Sequence, residues 1–217
     1  MRKRQLIHWL CLSGPVGLVF YALHDVIGAR SYPGYDWMRQ AVSDLTSLAA
    51  PSFMVARGLS SVYSLFGCLC CALICIVAQG KGNRAFRLGV YLFAAMNWVS
   101  GIGYSLFPLS ESGYAGRFQD IMHLYVVTTL VVGLSIASLI LIAAGCRKAP
   151  KCGPLAVFSL AALACMLAGA IGVNAAPRQF FGVAERFSVY SAVVFTAVLG
   201  VFGFHGFEPH PARARSS

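Results

Sequence analysis

Six stretches of about 20 apolar residues, divided by short polar segments, constrain this chain more than any other feature. A helix rises 1.5 Å per residue, so such a stretch matches the ~30 Å hydrocarbon thickness of a bilayer. The stretches fall near 6–27, 58–78, 88–109, 121–144, 155–175 and 180–204. They predict an all-α polytopic membrane protein, with residues 1–217 forming one membrane domain. The chain is 58% hydrophobic and 11% charged. Soluble domains carry about 25% charged residues, and a water-soluble fold has no place to hide this much apolar surface.

The loops set the expected orientation. Arg2, Lys3, Arg4, Lys81, Arg84, Arg87, Arg147, Lys148, Lys151, Arg213 and Arg215 all fall on one side of a six-helix arrangement, eleven of the 17 basic residues. Arg30, Arg39, Arg57, Arg117, Arg178 and Arg186 fall on the other, with every acid except Glu208. The positive-inside rule makes the first side cytoplasmic, with both termini there. The net charge of +10 is then a response to topology and anionic lipid, which excludes a nucleic-acid role and makes membrane lipids the expected partners. The first apolar run reads as a span and not as a cleaved signal, because His24-Asp25 stands where small cleavage-site residues belong.

The first outer loop is the longest. Met38, Ala41, Val42, Leu45 and Leu48 recur at helical spacing opposite Asp36, Gln40, Ser43 and Ser47, which predicts a short amphipathic helix over 36–48. It would lie on the bilayer or form a lid over a cavity. Recurrent glycines, among them Gly14, Gly133, Gly169, Gly172, Gly200 and Gly203, predict close helix approach, and Pro15 predicts a kink in the first span. The eight cysteines fall in apolar runs or inner loops and read as small buried hydrophobes without disulfides.

Ionisable groups near a membrane span are costly and by default point to function. Here they collect at the outer helix ends: His24 and Asp25, then Asp120 and His123 on one helix face, then Glu185 and Arg186, with Ser43 and Asp44 from the loop. Three readings compete. In the first, a pocket binds a lipid or small amphipathic molecule without chemistry. Asp36, Asp44, Tyr104, His123 and Arg186 orient a polar head, and a rim including Tyr32, Tyr35, Trp37, Tyr114, Tyr125, Phe180, Phe181 and Tyr190 holds the apolar part. In the second, a metal-dependent hydrolase acts on lipid. His24, Asp25, Asp120 and His123 are the candidate ligands of a divalent metal, and His123, Asp120, Asp44 and Ser43 the candidate catalytic residues. In the third, the charges pair structurally and tie the loop to the bundle. No Gly-rich phosphate loop or nucleophile elbow is present. No charge stands at mid-span, which weighs against an ion-coupled transporter.

The run Tyr32-Pro33-Gly34-Tyr35-Asp36, followed by Ala41-Val42-Ser43-Asp44-Leu45, resembles the first outer loop of the bacterial and archaeal family called "domain of unknown function 998". Phe107-Pro108 ahead of Asp120 and His123, and Gly182 through the Glu185-Arg186 pair, are similar too. The resemblance implies a six-helix fold in a prokaryotic plasma membrane and no established activity, and it marks Asp36, Ser43, Asp44, His123 and Arg186 as the positions to test.

Overall fold

The computed structural model describes residues 5–113, 115–147 and 152–207. Six helices in it are long and apolar enough to cross a membrane: α1 Leu6–Arg30, α2 Phe53–Val77, α3 Arg84–Leu106, α4 Phe118–Arg147, α5 Gly153–Ala175 and α6 Arg178–Phe204. No strand occurs among the described residues. The six expected spans are all present, with ends displaced by a few residues.

Local sequence explains the breaks and starts. α1 is interrupted at Cys11–Leu12 between Leu6–Leu10 and Ser13–Arg30. Pro15 has no N–H to give the Cys11 carbonyl four residues back. That carbonyl instead accepts from Gly14 N at 3.2 Å and from Cys70 Sγ at 3.3 Å. α3 opens on Asn83, whose side chain accepts from Phe86 N at 2.9 Å. α6 begins as a short 3-10 turn, Arg178–Phe180, directly after the tight hairpin at Pro177.

Each helix packs on its neighbours in the chain, and α6 returns to α1, so the six close a ring. Both described chain ends lie at one end of it: Trp9 packs edge-on against Phe204 at 4.9 Å, and Phe86 against Phe207 at 5.2 Å. We call this the terminus end. The opposite, lid end carries the loops at 31–52, 107–117 and 176–177. Towards the terminus end the ring is filled solid. Phe86, Phe93, Leu139, Ile142, Leu155, Phe195 and Leu199 are fully buried there, and α2 meets α6 directly, with Cys70 Sγ 3.8 Å from Thr196 O. All eight cysteines are free thiols, five of them buried.

Several of the expected small-residue approaches are present. A Cβ on Gly169 would stand 2.6 Å from Ala184 O, and one on Gly172 2.9 Å from Ala184 Cβ, which brings α5 and α6 together. Gly133 faces open space instead. Backbone cannot yield as a flexible side chain can, so Gly169→Ala is expected to destabilise the bundle by about 1–3 kcal/mol. Gly133→Ala is expected to be neutral or stabilising by up to about 1 kcal/mol. Thermal unfolding of both variants in detergent checks the pair; equal melting temperatures would sink the assignment.

The helix expected over 36–48 shrinks to one 3-10 turn, Val42–Thr46. Its backbone groups are claimed elsewhere. Asp36 Oδ1 accepts from Met38 N at 3.0 Å, and Gln40 Oε1 from Asp36 N at 2.8 Å. The Met38 carbonyl accepts from Gly182 N at 2.8 Å. Side chains that bond nearby backbone compete with the helical ladder. The apolar stripe still turns inward at Ala41, Val42 and Leu45, while Leu48 stays exposed.

Candidate functional site

Two loops close the lid end, and the polar residues singled out in the sequence are the fasteners of both. Arg186 holds the loop at 31–52. Its Nη2 and Nε donate to Asp25 Oδ1 at 2.7 Å and Oδ2 at 3.0 Å, and Nη2 also donates to the Tyr35 hydroxyl at 2.8 Å. Its Nη1 donates to the carbonyls of Trp37 at 2.8 Å and Gln40 at 3.1 Å. Asp25 and Arg186 retain only 13% and 11% side-chain exposure, so the pair is largely desolvated. Tyr190 completes it by donating to Asp25 Oδ2 at 3.1 Å. Burial pushes the Tyr35 phenol above its ordinary pKa. It therefore keeps its proton and donates to Ala41 O at 2.7 Å.

The loop at 107–117 is fastened three times. Asp120 Oδ1 accepts from Ser110 N and Ser110 Oγ, both at 2.8 Å, and Asp120 Oδ2 accepts from Arg117 N at 3.1 Å. Asp44 Oδ1 accepts from Gly113 N at 3.0 Å, while its Oδ2 accepts from Ala41 N at 3.1 Å. His123 Nδ1 lies 2.7 Å from Phe107 O. A carbonyl only accepts, so Nδ1 carries a proton. The two loops also join each other through Leu48 N to Leu109 O at 2.8 Å.

Beneath these loops lies a cavity of about 820 Å³, inside the range typical of ligand pockets. His24, Ser43, Asp44, Tyr104 and His123 line it. Asp25, Asp36, Asp120 and Arg186 do not; they work in its frame. His24 repeats the arrangement of His123, with Nδ1 3.1 Å from Ala56 O. The wall near the lid is polar, with Arg39, Gln40, Arg57, Ser60 and Glu185. Deeper down it is apolar: Met96, Val131, Met166, Ala170, Ala192 and Val193. One turn further, Phe93 packs against Phe195 at 5.1 Å and closes the floor. Ser135 lines the deep wall, and its hydroxyl, fully buried, has no partner among the described residues. Exposed lining residues occur on two sides, Ser61 and Ser105 along the α2–α3 seam and Asn174 and Phe181 where α5 meets α6.

His123 stands on an irregular turn. Residues Met122–Val127 form a π-helical stretch between two α-helical parts of α4. Widened turns of this kind recur at functional sites. The His123 carbonyl is taken by Thr128 Oγ1 at 2.8 Å, which also meets the Tyr104 hydroxyl at 3.0 Å. The Tyr104 and His123 rings lie 4.6 Å apart.

The four candidate metal ligands are not brought together. Asp25 is committed to Arg186 and Asp120 to Ser110, and among the described residues no three of His, Cys, Asp and Glu form a group able to hold a metal ion. The aromatic rim divides as well. Trp37, Tyr125 and Phe180 are exposed on the outer surface, Phe181 stands at the cavity's α5–α6 seam, and Tyr104 lines the cavity. Tyr114 lies outside the described residues. Sequence reasoning passed over Tyr21 and Tyr63, which pack edge-on at 4.8 Å in the cavity wall. Tyr21 sits three residues before His24, on the same helix face, and that spacing was the available signal.

No curated protein and no solved structure matches the chain. A family model does, over residues 15–202, and the chain belongs to that family, described as protein of unknown function (DUF998).

Proposed function

We propose that this protein binds a lipid or another small amphipathic molecule in the lidded cavity, on the extracytoplasmic side of the membrane. The observation that carries the reading is the cavity's own polarity, polar beneath the lid and apolar at depth. From Tyr104 to Met96 the wall descends eight residues of helix, about 12 Å, close to the ~15 Å thickness of one hydrocarbon leaflet. A molecule with its head under the lid and its chain on Met166, Ala170 and Ala192 would match both zones. Exposed lining residues on two seams offer it a way in from the side. Orientation rests on charge: Lys81, Arg84, Arg87 and Arg147 gather with both described chain ends at the terminus end, which the positive-inside rule makes cytoplasmic.

The test is to fill the apolar zone. Ala170→Trp adds bulk to the deep wall and touches none of the loop fasteners. Native mass spectrometry of gently solubilised wild type is expected to show one co-purifying amphiphile per chain. The variant is expected to lose that adduct at least tenfold while its melting temperature holds. A wild type without adduct, or an adduct indifferent to the substitution, would refute the binding reading.

A further inference from the structure

The two halves of the ring give the cavity unlike walls. Below the lid, α4, α5 and α6 offer it Leu124, Val131, Met166, Ala170, Val189 and Ala192. The contiguous half, α1 to α3, offers Tyr21, Ser60, Tyr63, Ser64, Ser100 and Tyr104, and Met96 at depth is its one lining side chain without a hydroxyl or charged or imidazole group. The charged groups of the wall are engaged by the protein itself. Asp44 accepts from Ala41 N and Gly113 N, and Glu185 from the N–H groups of Val42 and Ser43. Arg39 pairs with Asp36 at 3.3 Å. Arg57 donates to Ser105 O at 3.2 Å and lies over the Phe53 ring at 5.3 Å.

The hydroxyls of the α1–α3 half are largely unspent. Those of Tyr21, Ser60, Tyr63, Ser64 and Ser100 bond to no described residue. Tyr21 lines the cavity with only 6% of its surface exposed. A hydroxyl both donates and accepts, and leaving one unmatched once water is withdrawn is costly. These groups also stand close together. Ser60 and Ser64 are one turn apart on α2, and Ser100 and Tyr104 one turn apart on α3. Gly101 draws the two helices together, since a Cβ on it would stand 3.4 Å from Ser64 Cβ. Tyr21 and Tyr63 pack edge-on at 4.8 Å beside them. A head that matches such a wall carries several neutral donors and acceptors on adjacent atoms, which is the chemistry of a polyol.

We infer that the cavity takes an amphiphile with a glycosyl or similar polyol head, seated on the hydroxyl wall of α1–α3 with its chain on the apolar wall of α4–α6. The inference rests on the binding reading above and names its ligand class. The head can come from a two-chain glycolipid or from a single-chain glycoside, and the experiment separates these sources.

Protein in tetraethylene glycol mono-octyl ether, a detergent without sugar, is titrated with dodecyl β-D-glucoside, dodecanol, dodecyl phosphate, glucosyl dioleoylglycerol and dioleoylglycerol. Occupancy is read by native mass spectrometry. A glucosyl head is expected to bind roughly tenfold or more tightly than its chain-matched alcohol, because a site built for hydroxyls rejects the analogue that lacks them. The preference confined to the single-chain pair assigns a glycoside, and its presence in the two-chain pair assigns a glycolipid; both keep the inference. The triple variant Tyr21→Phe/Ser64→Ala/Ser100→Ala removes hydroxyls that hold no described residue. It is expected to melt like wild type, to lose the preference and to bind dodecanol unchanged. Ser64→Ala alone is the milder control and is expected to weaken the preference several-fold. Equal binding of glucosyl and alcohol heads, tighter binding of dodecyl phosphate, or a preference that survives the triple variant would overturn the polyol inference alone. So would a wild-type adduct that none of the probes displaces. If no probe binds and the wild type carries no adduct, the binding reading falls with it.

Discussion

Replacing Arg186 with methionine is expected to destabilise the protein by about 3–5 kcal/mol, the usual cost of removing one partner from a buried ion pair. The substitution leaves the Asp25 carboxylate in a largely desolvated position with only Tyr190 donating to it. It also strips the carbonyls of Trp37 and Gln40 and the Tyr35 hydroxyl of their guanidinium donor. Because these groups belong to 31–52, the lid is expected to loosen before the ring opens. Two measurements check this: unfolding in mixed detergent micelles for the total, and hydrogen exchange at 35–46 for the local part. The double variant Asp25→Asn/Arg186→Met should recover part of the loss, since the uncompensated charge is gone. If Arg186→Met unfolds like wild type, the pair does not hold the lid and its burial is incidental.

Asp120→Ala is expected to cost about 3 kcal/mol. The residue is fully buried, and its carboxylate accepts from Ser110 N, Ser110 Oγ and Arg117 N. Hydrogen bonds to a charged acceptor contribute about 1.5–3 kcal/mol each, and losing the acceptor leaves donors unmatched in a closed space. Asp120→Asn should fall between the two, because one amide oxygen still serves Ser110 while the amide N–H₂ confronts the Arg117 N–H. Thermal unfolding in detergent orders the three proteins. A catalytic role would predict the opposite pattern, a stable Asp120→Ala protein with lost turnover. An unchanged melting temperature would refute the loop-fastening role given to Asp120.

The membrane fold was legible because its signal is additive. Each span needs only a sufficient run of apolar residues, and neither Pro15 nor the recurrent glycines interrupt that run. The candidate site was legible in part. Asp25, Asp120, His123 and Arg186 at helix ends and Asp44 in the first outer loop stood out as ionisable groups, and they do gather at one end of the bundle. Their division of labour was hidden. Asp120 and His123 lie three residues apart on one helix, yet the carboxylate is consumed by Ser110 in the preceding loop while the histidine lines the cavity. The helix expected over 36–48 failed for a related reason. Periodicity records which side chains point inward, and those do, but it does not record that Gly182, Arg186 and Tyr35 take the carbonyls a helix would need.

By itself the sequence determined the number of spans, the end at which ionisable groups collect and the membership of polar and apolar positions, because hydropathy is summed locally along the chain. Only the tertiary structure decided which polar groups spend themselves on loop backbone and which face a cavity. It also set Tyr21 of α1 against Tyr63 of α2 and Tyr190 of α6. Those juxtapositions join helices far apart in the chain, and they depend on the closure of the ring and the seating of the loops, which no local pattern encodes.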